Sequence, residues 1–264
     1  MSDPMLFDLM HGVGLPSKSG NKAPLAIIKD PLEIEFNEAI QEQIKSEMEN
    51  EVRSEYNLLS PAMKQAKRKQ EIIEEASFKE VSQNLSLAVK ILMDEGSQVL
   101  EKEEYDDLLK SLVHINSNLD SLEPKHLNDE SLQAALKIPD TCGRFILKIG
   151  VDKYSQGLVD ESIALFLLLT IVNPDEPDYW FRLGLAAKKN QNYSLALNAL
   201  ATTTELAPEF IGAHIYAAHC HLKMYSKENA LAEFAIAKEI QEKTQIEEKW
   251  LQSMNEVENL LAVI

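Results

Sequence analysis

Hydrophobic positions along this chain recur at helical spacing almost throughout. Phe36, Ile40, Ile44, Met48 and Val52 return every fourth residue, which predicts a long helix after Pro31. A strict four-residue step drifts around a helix of 3.6 residues per turn, so this stripe must wrap against more than one neighbour. Ser60-Pro61 has the form of an N-cap followed by proline at the first helical position. It predicts a second helical region to about Glu95, with Gly96 as its C-cap. Tyr105, Leu108, Leu109, Leu112, Val113 and Ile115 predict a helix over 101–120, and Asn128 is placed to cap a short helix ending before Pro139. No segment alternates convincingly with period 2, so the expected fold class is all-α. Gly12, Gly14, Pro16, Gly20 and Pro24 punctuate residues 1–30, which read as a flexible tail with one short apolar piece, Met5–Met10. Residues 31–140 then form an acidic helical N-terminal region.

Residues 141–244 are organised by a repeat. Segments 143–176, 177–210 and 211–244 align without gaps as three units of 34 residues. Small residues stand at the eighth position (Gly150, Gly184, Ala218) and at the twentieth (Ser162, Ala196, Ala230). Large apolar ones stand at the twenty-fourth (Phe166, Leu200, Phe234), and Pro174 and Pro208 hold the thirty-second, where the last unit has Glu242. This resembles the tetratricopeptide repeat, whose pattern is W-x2-L-G-x2-Y, then A-x3-F, then P. The middle unit carries Trp180, Leu183, Gly184, Ala196, Leu200 and Pro208, with Ala187 in place of Tyr; the third has His214 in place of Trp. Each unit then folds as an antiparallel helix pair. Small residues let the backbones approach, the bulky residue fills the space between units, and proline ends the second helix. The resemblance implies a three-repeat right-handed solenoid. Residues 245–264, with Ile246, Trp250, Met254, Val257 and Leu261 at amphipathic spacing, are the expected capping helix.

The concave wall of such a stack comes from the first helix of each pair. In this repeat, positions 2, 5, 9 and 12 tend to face it: Arg144, Leu147, Val151 and Tyr154; Asp178, Phe181, Leu185 and Lys188; Gly212, Ile215, His219 and Leu222. Most are apolar, and an exposed apolar wall is costly unless covered, so it reads as a protein-binding groove. The competing reading is that the N-terminal helices or a second copy cover it. Readers of acidic C-terminal peptides place Lys, Arg and Asn here; this wall holds Leu147, Val151, Phe181 and Leu185, which favours an extended apolar segment as ligand.

Charge narrows the partners. The chain has 26 basic and 43 acidic residues, net −17, which argues against nucleic acid and against docking on anionic membranes. The longest apolar stretch, Ile163–Val172, is ten residues; a membrane span needs about 20, so no membrane insertion is expected. The N-terminus has no signal-peptide pattern, and Cys142 and Cys220 are too few for a disulfide framework. A cytoplasmic protein is expected. The basic cluster Lys64, Lys67, Arg68 and Lys69 reads as a solvated face. No phosphate-binding loop, dinucleotide fingerprint, zinc-protease or nucleophile-elbow motif is present. His214, His219, Cys220 and His221 invite a metal reading, but His219 points away from the face that His214 and His221 share. They read as packing and groove contacts. Glu103-Glu104 and Asp106-Asp107 sit on a charged helix face with nothing placed to perturb them. No catalytic residue, metal or cofactor is assigned.

The run from His214 to Leu222, together with Ile149–Gly157 and Asp160–Ile163, resembles the translocator chaperones of bacterial type III secretion over roughly residues 140–245. Those proteins are acidic and carry three such repeats. They hold an extended apolar client segment in the groove, and many form homodimers through N-terminal helices. The resemblance implies that Leu147, Tyr154, Phe181, Leu185 and Ile215 contact a client. Their N-terminal extension is short, whereas this chain has about 140 residues there. The expected function is a non-enzymatic chaperone for a hydrophobic segment. The alternative is a scaffold or regulatory subunit of a secretion or other multiprotein complex.

Overall fold

The structure, a computed structural model, describes residues 79–119 and 131–263. The stripe Phe36–Val52, the Ser60-Pro61 start, the basic cluster, the tail and Asn128 lie outside the described residues. From Asn84 on, the described residues fall in one compact unit; helical residues 79–83 belong to a second, Pro24–Gln83.

The described residues of the first unit are helical, without strands. Residues 84–94 (α1), Gly96–Val99 (α2) and Lys102–Leu119 (α3) precede a single turn, Leu132–Ala135 (α4). Then come Asp140–Gln156 (α5), Val159–Val172 (α6), Pro177–Lys189 (α7), Tyr193–Leu206 (α8), Ile211–Lys223 (α9), Lys227–Lys243 (α10) and Glu248–Val263 (α11). From α5 to α10 each helix packs on the next, as stacked tetratricopeptide hairpins require. None of the described helices is long and apolar enough to cross a membrane.

The repeat register reappears in the backbone. α6, α8 and α10 all start at the seventeenth position of their units, and the residue at the fifteenth has positive φ in each: Gly157 (84°), Gln191 (62°) and Tyr225 (56°). That left-handed residue turns the chain between the two helices, and only at Gly157 is it free of a Cβ penalty. Pro174 and Pro208 follow helices of 14 residues; Glu242 imposes no such stop, and α10 runs for 17. Side-chain caps fix other starts. Asn192 accepts from the Leu195 N–H, and Glu176 from the Asp178 N–H beside Pro177 at the first turn.

The eighth and twenty-fourth positions meet inside the first two hairpins. A Cβ at Gly150 would lie 2.7 Å from Phe166 Cε1, and one at Gly184 would lie 2.9 Å from Leu200 Cγ. The fourth position has a shared task that the residue types conceal. Trp180 Nε1 donates to the Pro174 carbonyl at 2.7 Å, and His214 Nε2 reaches the Pro208 carbonyl at 3.1 Å. His214 therefore replaces tryptophan by keeping its bond to the preceding unit. Its Nδ1 engages Glu233 at 2.7 Å.

Two N-terminal expectations are corrected. Gly96 is not a left-handed C-cap. It begins α2 and is glycine because a Cβ would lie 2.8 Å from the Tyr105 ring. The short helix before Pro139 is capped by Ser131, whose hydroxyl accepts from the Ala134 N–H. Buried Ala88, Ile91, Leu92, Leu100 and Leu108 join the core of the repeats.

Candidate functional site

The residues assigned to the concave wall divide by exposure. Val151, Tyr154, Phe181, Leu185, Ile215 and Leu222 are buried; Leu147, Lys188 and His219 are half-buried. The expectation of an open apolar wall is thus corrected at these six buried positions, whereas Leu147 stays half-buried. At the downstream end the cover is α11, which rests on α9 more than on α10. Trp250, 4% exposed, is the contact point. Its ring lies 5.5 Å from Phe210, 6.4 Å from Tyr216 and 6.5 Å from Phe181, centroid to centroid, mostly edge to face. Phe181 and Phe210 close the cage at 4.7 Å. Gly212, at the second position of the last unit, forms the floor, where a Cβ would lie 2.7 Å from Trp250 Cζ3.

One turn further along α11 the fit opens. A narrow cleft, with room for about one water molecule, is lined by Lys188, Ile215, Tyr216, His219, Ser253, Glu256 and Val257. It therefore brings together three of the predicted wall residues, Lys188, Ile215 and His219, from the first helices of two adjacent units. Lys188 Nζ stands 4.9 Å over the Tyr216 ring, and Lys189 Nζ stands 4.0 Å over Tyr154. Burial lowers the Lys189 ammonium from its ordinary value. It also pushes the His219 imidazole down to about 3, helped by Lys188 and Lys223, so His219 is neutral at physiological pH. His219 Nδ1 is buried without a hydrogen-bond partner.

That depression has a testable sign. An unfolded histidine titrates near 6.5, so below that pH the unfolded chain takes up a proton that the folded chain refuses. The stability contributed by neutral His219 is complete above about pH 6.5 and is lost as pH falls towards 3. The limiting slope is about 1.4 kcal/mol per pH unit, reduced by partial exposure. Urea midpoints at neutral and acid pH should show His219→Gln less acid-sensitive than the parent. An identical acid dependence would refute the assignment.

The other candidate chemistry disperses. His214 is held by Glu233 and Pro208, away from His219. Cys142 and Cys220 are free and buried, their thiols pushed up by burial to about 11 and about 12. Among the described residues no group of three or more His, Cys, Asp and Glu side chains could hold a metal ion. Glu104 and Asp107 serve surface ion pairs with Lys148 and Lys110, each at 2.7 Å.

Sequence reasoning missed Phe210, Tyr216, Ser253 and Glu256 as part of this site, and it read Trp250 and Val257 only as cap residues. The available signal was Gly212, a residue without a side chain where the other units carry Arg144 and Asp178.

No known protein-family model matches the chain, and no curated protein matches it in sequence. Solved structures do resemble it. The CopN–Scc3 complex is 24% identical, covers 55% of this chain and 85% of its own, and has a TM-score of 0.46. The type III secretion translocator chaperone SycD of Yersinia enterocolitica is 15% identical, covering 51% and 98%, with a TM-score of 0.45. PcrH in complex with the chaperone binding region of PopD is 18% identical, covering 47% and 95%, with a TM-score of 0.44.

Proposed function

We propose that this chain is a non-enzymatic helical-repeat chaperone that holds an extended apolar segment of a secreted client against the first helices of its repeats. The observation that carries the reading is the break in the sealed wall. Lys188 and His219, on the first helices of adjacent units, border a narrow cleft, and His219 Nδ1 is buried without a hydrogen-bond partner. A buried polar atom left unmatched is costly, and a client backbone N–H or C=O laid along the wall would satisfy it. The apolar floor at Ile215 and Val257 suits the side chains of such a segment. The motif resemblance in residues 140–245 supports the same client class. Occupancy works by mass action: client bound here is withdrawn from aggregation, and the soluble complex is favoured.

The test is to purify the untagged full-length chain with its bound protein, identify that protein by mass spectrometry, and repeat with variants. Lys188→Glu and Leu147→Glu change half-buried wall residues without excavating the core. Each is expected to lower retained client at least about tenfold, the effect of a 1.4 kcal/mol contact. Leu231→Glu, on the exposed side of α10, is the control and should retain it. The scaffold alternative draws on the exposed Leu231 and Ile236 and predicts loss with the control instead. Full retention by both wall variants would remove the chaperone reading.

A further inference from the structure

A helix that simply continued the stack would lie on α10, as α7 lies on α6 and α9 on α8. The placement of α11 differs. It favours α9, and through Trp250 it reaches Phe181 on α7. The seat it uses is shaped by an omission, because any side chain at Gly212 would meet the Trp250 ring. Beyond that ring lies a narrow cleft lined by Ile215 and His219 of α9 and by Ser253 and Val257 of α11. Met254 and Val257 continue the buried face of α11; non-helical residues 244–247 lead into it, and Lys238 pairs with Glu258 on the surface at 2.7 Å. Exposed ion pairs of this kind contribute little. So α11 buries one continuous face, Trp250, Ser253, Met254 and Val257, with Trp250 as its aromatic anchor, and it meets α9 more than α10.

We propose that α11 is a displaceable occupant of the client-binding wall: Trp250 fills, in cis, a seat that accepts an aromatic or long apolar side chain of the client, which binds by evicting it. This rests on the chaperone reading above and adds to it the chemistry of the anchor and a mode of regulation. An empty apolar wall would promote association of the chaperone with itself; a wall filled in cis does not. A tethered occupant acts at an effective concentration in the millimolar range, so segments without an anchor of their own are rejected. Aromatic anchors in desolvated pockets are the side chains that dominate such interfaces.

The experiment uses full-length chains and a fluorescein-labelled synthetic peptide of residues 246–264 as the probe. The parent, whose seat is filled, is expected to bind it weakly. Trp250→Ala is expected to bind at least about thirtyfold more tightly, the equivalent of 2 kcal/mol for one anchor. Adding Gly212→Ala to Trp250→Ala should abolish that gain, because the new methyl group occupies the seat. Equal binding by the parent and Trp250→Ala would overturn the proposal. So would loss of the helical signal of the whole chain in Trp250→Ala, which would make α11 an obligatory part of the fold. A second variant leaves α11 unaltered. Trp180 and Trp250 are the two tryptophans, so Trp180→Phe makes Trp250 the sole reporter. In that background Gly212→Ala should shift its emission to the red with helicity intact; an unshifted spectrum would also overturn the proposal. If the peptide experiment fails while Lys188→Glu still releases client, cis occupancy alone is lost. If the peptide behaves as expected while client retention ignores Lys188 and Leu147, the chaperone reading is lost.

Discussion

A Phe166→Ala chain is expected to be about 3–5 kcal/mol less stable than the parent, the range for truncating a well-packed core phenylalanine. Phe166 is 0% exposed and is the largest fully buried side chain in the described structure. It sits at the twenty-fourth position of the first unit, and its ring covers Gly150, which has no Cβ to hold it away. Alanine would leave a cavity that α5 and α6 cannot close, because each is also packed against a neighbour, α3 and α7 respectively. The pairing predicts a coupling as well. Gly150→Ala alone should cost about 1–3 kcal/mol by overpacking, since its methyl group would strike the ring. In the Phe166→Ala background the obstacle is gone, and that cost should vanish. Equilibrium urea unfolding of the four chains gives the cycle. A loss below 1 kcal/mol for Phe166→Ala, or strictly additive costs, would contradict this account of the two positions.

Pairs such as Gly150 with Phe166 explain why the repeat was legible from residues alone. Their requirement is local, reciprocal and renewed every 34 residues, so it leaves a periodic trace in the sequence. The turn at the fifteenth position leaves a weaker trace, because Gln191 and Tyr225 adopt the same left-handed backbone as Gly157 despite their side chains. The hydrogen bond at the fourth position leaves almost none. Trp180 and His214 have in common only a ring N–H at the right reach, which a comparison of residue types scores as a mismatch. The wall positions could be numbered from the register, but what covers them could not. Phe181 and Ile215 are apolar whether they meet a client, α11 or solvent. Only the structure places the Trp250 ring against Phe181 and Val257 beside Ile215. Trp250 itself satisfied an amphipathic pattern, and such a pattern fixes the buried face of a helix without naming the surface it is buried against.

The upstream end of the stack is expected to depend on one cation. Lys153 is 4% exposed on α5, where it bonds Glu95 and lies 3.4 Å from Glu161 Oε2. Burial alone would lower its ammonium, but the two carboxylates outweigh that, and its proton is held above the ordinary lysine range. Removing one member of a buried ion pair costs about 3–5 kcal/mol where the partner stays buried. Glu95 and Glu161 remain 38% and 29% exposed. They can turn to water, so Lys153→Ala should cost about 2–3 kcal/mol after that discount. Lys153→Met separates the two contributions: it keeps the apolar stem packed and loses the charge, so it should recover part of the loss but not all. The damage should also be directional. Glu95 lies in the turn between α1 and α2, and Lys153 adds a charged tie from that turn to the first repeat, on which α2 also packs. Without the cation, limited proteolysis is expected to open the chain around residues 95–101 before it reaches α7 or α9. A first cut inside the second or third unit would show that Lys153 supports the stack as a whole. Cleavage at 95–101 would show that the N-terminal helices are released separately from the repeats.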